Sequence, residues 1–138
     1  MFIYRGEISS KPRMTQRDSW KKRTCVVKYY SFKDNISLQA KQQNFTVHES
    51  IDVVIGVQMP KSWSKKRKIE MEGMPHQQRP DIDNYEKSIL DSLCEEDSYV
   101  HILNARKVWF TESFITIKNN YGKEGRFDCR LHLENNKR

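Results

Sequence analysis

The sequence predicts an α+β fold: one domain over residues 1–138, built on a small mixed β-sheet with two main helices. Three observations predict it. Ile51, Val53, Ile55, Val57 and Met59 alternate without a miss, the period of a half-buried strand. Cys25, Tyr29, Phe32, Ile36 and Ala40, and later Tyr85, Ile89 and Leu93, recur at helical spacing. A chain of 138 residues is also long enough to bury one core without covalent staples.

The elements follow in order. Phe2, Tyr4 and Ile8 mark a first strand, and residues 9–23 carry no apolar period and read as an irregular arm. Thr24 reads as an N-cap for a helix running to about residue 43. The strand over 51–59 ends at Pro60, which cannot donate to a ladder. A polar stretch follows, with a short helix expected around 64–72. Residues 81–93 form the second main helix. Val100 and Ile102 begin a strand running towards Trp109, and Ile115 and Ile117 mark another. Phe127, Cys129, Leu131 and Leu133 alternate as a last strand, with Asn119 to Gly125 as the turn before it.

Composition narrows the function classes. The net charge is +7, with 31% charged and 36% hydrophobic residues, so the chain's field favours polyanionic partners. Many basic proteins bind nothing specific, and charge alone does not choose. Cys25, Cys94 and Cys129 form no CxxC pair, which argues against a zinc knuckle or a disulfide framework and suits a cytoplasmic protein. His48, His76, His101 and His132 are scattered and show no HExxH pairing. No window reaches the length of a membrane span, and the first residues lack the apolar run of a signal peptide.

The charge is unevenly spread. Residues 1–23 hold seven Lys or Arg against two acids, and residues 61–79 hold six against two. Between Asp81 and Asp97 seven acids (Asp81, Asp83, Glu86, Asp91, Glu95, Glu96 and Asp97) stand against Lys87 alone. In a polyanion-binding chain, such a patch needs a reason. A hard divalent cation, which takes oxygen ligands and can bridge carboxylates to a phosphate, supplies one. A solvated helix supplies another: Asp81 as an N-cap, with Asp83–Lys87 and Lys87–Asp91 as i,i+4 pairs.

The order of motifs bears on this choice. The segment RPDIDNYEKSILDSL (79–93), followed by EEDSYV (95–100), resembles the defining region of the RusA family of Holliday-junction resolvases. The arm GEISSKPRMTQRDSWKKR, the QMPKSW stretch, the later MEG-x-PH and the Trp109 to Ile117 ending resemble phage and prophage members as well. The likeness covers roughly residues 6–118. It implies a Mg²⁺-dependent endonuclease, with Mn²⁺ as substitute, acting as a homodimer on four-way DNA junctions in a bacterial host's cytoplasm. Carried residue by residue, the catalytic carboxylates fall on Asp81, Asp83 and Asp97, and the catalytic lysine on Lys87. The three aspartates are the implied metal ligands, with Glu96 and Asp91 as further candidates. Glu96 stands where Asp is usual, and Tyr99 where Gln is common.

On this reading Lys11, Arg13, Arg17, Lys21, Lys22 and Arg23 contact backbone phosphates and Trp20 stacks on an unpaired base. Lys65, Lys66, Arg67 and Lys68 do the same from the other side. A solvated arm and a solvated helix face are the competing readings. Two other functions keep the same features: a less selective structure- or single-strand-directed nuclease, and a non-enzymatic DNA-binding protein. A PD-(D/E)xK nuclease lacks its acid-x-Lys on the strand after Pro80–Asp81.

Overall fold

The computed structural model describes residues 1–13, 24–120 and 126–136. Its element order is β1 (Phe2–Arg5), α1 (Thr24–Gln42), β2 (Ser50–Gln58), α2 (Lys65–Met71), α3 (Ile82–Leu93), β3 (Ile102–Phe110), β4 (Phe114–Asn119) and α4 (Cys129–Asn135). The four strands form one mixed sheet in the order β1-β4-β2-β3, the expected α+β class. β2 pairs parallel with β3 and antiparallel with β4, and β1 closes antiparallel on β4.

Period-2 alternation sends one row of each strand towards the helices. Tyr4, Ile115, Ile55 and Lys107 lie in register across the four strands, and Phe2, Ile117, Val53 and Ala105 form the neighbouring row. Phe32, Ile36 and Ala40 of α1 and Tyr85 and Ile89 of α3 pack against these rows in one core. Burying each such large apolar side chain contributes about 1.5–3 kcal/mol, so the face with these side chains fixes where both helices sit.

Four details depart from the sequence reading. β1 stops at Arg5, and Ile8 lies beyond Gly6, whose φ of +142° no L side chain adopts readily, packing on the core from outside the strand. On α1 the buried position is Val26, while Cys25 is exposed. β3 starts at Ile102, and Val100 packs on the core ahead of it. The largest correction is at the C-terminal end, where the alternating Phe127 to Leu133 segment is helical rather than a strand. Asp128 caps α4 by accepting the Leu131 amide at 2.9 Å, and Phe127, Leu131 and Leu133 are all exposed. Alternation signals a strand only when one phase is buried, and here neither is. The turn expected over Asn119 to Gly125 falls partly outside the described residues.

One edge of the sheet is covered and the other partly so. On β1, Gln39 of α1 and Gln43, just past its end, each bond both backbone groups of a strand residue. Gln43 accepts from the Ile3 amide at 3.1 Å and donates to its carbonyl at 2.7 Å, and Gln39 does the same for Arg5 at 3.1 and 2.9 Å. On β3, residues 73–76 run as a strap along the outer side. Gly73 donates to the Trp109 carbonyl at 2.8 Å, Trp109 to that of Met74 at 2.9 Å, and His76 to that of Lys107 at 3.1 Å.

Gly56 faces Phe114 in the β2–β4 register, and a Cβ there would overlap the Phe114 ring. That ring is held edge-on by Phe110 at 5.1 Å, so it cannot swing aside cheaply. Gly56→Ala should therefore destabilise the fold by about 1–3 kcal/mol, read as a lower urea midpoint with unchanged slope. An unchanged midpoint would contradict the packing at this crossing.

Candidate active site

The carboxylate segment starts where the chain leaves β3's strap. Asp81 occupies the N-cap position of α3 with extended backbone (φ −66°, ψ 151°), yet its side chain makes no capping hydrogen bond. Asp83, in the first turn, accepts the adjacent Asn84 amide at 3.0 Å, its one hydrogen bond among the described residues. Both are exposed, and neither joins an ion pair among the described residues. Of the two bland roles open to these residues, the cap is not made and the Asp83–Lys87 pair does not form.

The other i,i+4 pair does form. Lys87 approaches Asp91 at 3.6 Å, and Lys11 reaches the same carboxylate at 2.7 Å. Burial alone would raise the Asp91 pKa, but the hydrogen bond and charge of Lys11, aided by Lys87, bring it below its ordinary value. In return, the bond to Asp91 raises that of Lys11. The Lys11 amide also donates to the Asn84 carbonyl at 3.5 Å, so this part of the basic arm is docked on α3. Asp91 thus has a structural occupation, and Lys11 is engaged by protein where a phosphate contact was expected. Lys87 remains more than half exposed, with its ammonium able to reach outward.

Asp97 lies in the loop after α3, beside Cys94 and Tyr99, whose pKa values its charge helps to raise. Tyr99 clamps this loop: its hydroxyl donates to the Val47 carbonyl at 2.7 Å and meets Cys94 Sγ at 3.5 Å. Desolvation, then the Cys94 contact, push the phenol up to about 12, so it remains a neutral donor. Glu96 accepts the Ser98 amide at 3.3 Å. Among the described residues, no three His, Cys, Asp or Glu side chains gather around one point where an ion could sit. Asp81 and Asp83 flank one residue at the start of α3, and Asp97 completes no trio with them. Their donor set still suits magnesium, which is commonly held by one or two carboxylates, with waters and substrate phosphate completing the shell.

Glu86, one turn after Asp83, went unremarked as a site residue in the sequence. It is half-buried, and desolvation, then the Asp83 charge, push its pKa up. Repulsion between two such acids is relieved by a cation or a proton. A further feature invisible to motif reading is a stack of rings behind α2. Arg67 lies over Trp63 at 4.0 Å, Trp63 meets Trp109 at 4.8 Å, and Trp109 meets the buried His76 at 4.3 Å. Lys65, Lys66 and Arg67 are exposed and Lys68 half-buried on this short helix, whose first turn Ser64 caps through the Arg67 amide at 3.2 Å. Arg13 is exposed, and Arg17, Trp20, Lys21, Lys22 and Arg23 lie outside the described residues.

A family model described as Endodeoxyribonuclease RusA matches residues 6–118, a span that holds β2, β3, all but the last residue of β4, helices α1 to α3 and every carboxylate of the candidate site. No curated protein and no solved structure matches the chain significantly. No helix among the described residues is long and apolar enough to cross a membrane.

The crowding of Glu86 against Asp83 has a pH signature. An acid whose folded pKa is raised costs the folded state stability once pH exceeds its unfolded value, ordinarily 4.5. Glu86→Gln should leave the Tm unchanged well below pH 4.5 and raise it at neutral pH, with the gain growing as pH rises through the shifted pKa. Thermal unfolding across that range tests this, and a variant less stable at neutral pH would contradict it.

Proposed function

The chain belongs to the RusA endodeoxyribonuclease family, and from that membership we propose that it cuts four-way DNA junctions by magnesium-dependent hydrolysis at Asp81 and Asp83. The observation that carries this reading is the condition of Asp81. A carboxylate at an N-cap position ordinarily accepts an amide and stabilises the helix by about 1 kcal/mol. Asp81 forgoes that bond and stands exposed beside Asp83, at the helix end where positive dipole favours anionic groups and phosphate alike.

Asp81 and Asp83 would hold the ion at the start of α3, where the scissile phosphate would bind. Magnesium, when bound, supplies charge at the phosphate and a water of lowered pKa. Asp97, which forms no trio with Asp81 and Asp83 among the described residues, would add a third oxygen only if its loop moved towards the pair. Lys87, one turn into α3, offsets the negative charge that develops on the phosphate in the transition state. Cleavage of this type leaves 5′-phosphate and 3′-hydroxyl ends. The exposed Lys65, Lys66 and Arg67 hold flanking phosphates, with the ring stack keeping their helix fixed relative to β3. The protein works as a symmetric homodimer, because one site per protomer then meets two equivalent strands of a two-fold junction. Resolution of such junctions would serve DNA recombination and repair.

Asp81→Asn, Asp83→Asn or Asp97→Asn should each stop cleavage of a four-way junction while binding persists or tightens, since a charge that repels DNA is removed. Mg²⁺ or Mn²⁺ should support cleavage and Ca²⁺ should not, its longer bonds suiting binding better than in-line hydrolysis. Lys65→Ala with Lys66→Ala should weaken binding and reduce its salt slope by about 0.9 per lost phosphate contact. Gel assays with junction, flap, single-strand and duplex substrates measure all three, and full activity in excess chelator would remove the mechanism. Equal cutting of every substrate would favour a general nuclease.

Sedimentation of the free protein should give a dimer. On a supercoiled cruciform, the two nicks should fall in opposed strands within one binding event. A monomer that makes single uncoupled nicks would count against junction resolution.

A further inference from the structure

Lys107 breaks the rule of its strand. In β3 the residues facing the helices are Leu103, Ala105, Lys107 and Trp109, so one lysine occupies an apolar phase. Its row across the sheet is otherwise Tyr4, Ile115 and Ile55, each with no surface exposed. A lysine in that position costs stability unless its ammonium finds oxygen. It finds two: Nζ donates to the Gln78 carbonyl at 2.5 Å and to the Pro80 carbonyl at 2.8 Å. Pro80 immediately precedes Asp81. The Lys107 carbonyl accepts the His76 amide at 3.1 Å, and Pro75 bridges to Val108. The strap is therefore fastened to β3 at 73–76 and again at 78–80. Among the described residues, Lys107 alone bonds those two carbonyls.

We infer that Lys107 is the positioning residue for the Asp81–Asp83 pair: it fixes the backbone before the N-terminus of α3, and so sets where the two carboxylates meet an ion. This rests on the function proposed above. Lys107 does not touch the reacting atoms. Its effect passes through the backbone of residues 78–80. Asp81 needs such help because it makes no capping bond that would fix it locally. Hydrogen-bonded supports of this kind typically govern metal affinity by about 10- to 100-fold.

The test compares Lys107→Met, which keeps the stem and removes the donors, with Lys107→Arg, which keeps donors. In metal-free protein, hydrogen exchange should quicken over residues 76–84 in Lys107→Met while amides of β2 and β4 keep their rates. Mn²⁺ affinity, read by electron paramagnetic resonance on protein with the metal alone, should fall about 10- to 100-fold, and Lys107→Arg should recover most of it. Junction affinity without metal should be unchanged. Should Lys107→Met not fold, Lys107→Gln, which keeps amide N–H donors on a shorter, uncharged stem, carries the same comparison. Wild-type Mn²⁺ affinity in the variant, while Asp81→Asn is inactive, overturns the role of Lys107 and leaves the carboxylate site standing. Faster exchange throughout β2 and β4 also overturns it, since Lys107 would then serve general packing. Full activity of Asp81→Asn defeats the site itself and the inference with it.

Discussion

The pairing of β2 on both sides is the constraint from which the remaining geometry follows. With β4 antiparallel on one flank and β3 parallel on the other, the register sets Ile55 beside Ile115 and Lys107, and Val53 beside Ile117 and Ala105. A slip of one residue would turn Ile51, Val53 and Ile55 to the other face and strip the helices of their seat. Because α1 and α3 rest on these rows, the start of α3 comes to lie at the Lys107 end of one of them. The carboxylates are thus placed by strand register before any of them interacts with a ligand.

Within the acidic segment the fold sorts the side chains by occupation. Asp91 is held by Lys11 and Lys87, an arrangement that ties the arm to α3. Being partly exposed, this pair adds about 1 kcal/mol or less, so it orients the arm's root more than it stabilises the fold. Glu86 is crowded and half-buried. Among the described residues Asp81 and Asp83 join no ion pair and Asp81 makes no cap, so both exposed carboxylates are open to a cation or a polar ligand. Equal acids in the sequence thereby become unequal in space.

How far this was legible depended on the type of signal. β2, α1 and α3 could be read directly, since each buries one face and the period survives in the sequence. α4 could not: its alternating apolar residues are exposed, and its Asp128 cap is a stronger local instruction than the alternation. Asp81 and Asp83 stood out only as part of an ordered set of motifs, because D-x-D by itself is common. The Asp91–Lys11 contact spans 80 residues and no periodicity encodes it. Lys107 did leave a trace, as the charged member of an apolar phase, but that trace is readable only once the strand's inward face is known. Glu86 left none, since its significance lies in its burial beside Asp83.

The glutamines at the end of α1 and just past it, and the strap on β3, have a consequence for how the protein can associate. A strand recruited from another chain needs a run of open N–H and C=O groups. Gln39 and Gln43 imitate such a strand along β1, answering both groups of Ile3 and of Arg5 with side-chain amides. Across the sheet, residues 73–76 fill the Lys107–Trp109 end of β3, leaving a short stretch near Leu103 and Ala105. Sheet continuation from copy to copy, the route to fibres and to edge-joined dimers, is thus nearly closed at both margins. Association is left to side-chain surfaces, whose shape and charge can discriminate among partners in a way that exposed backbone cannot.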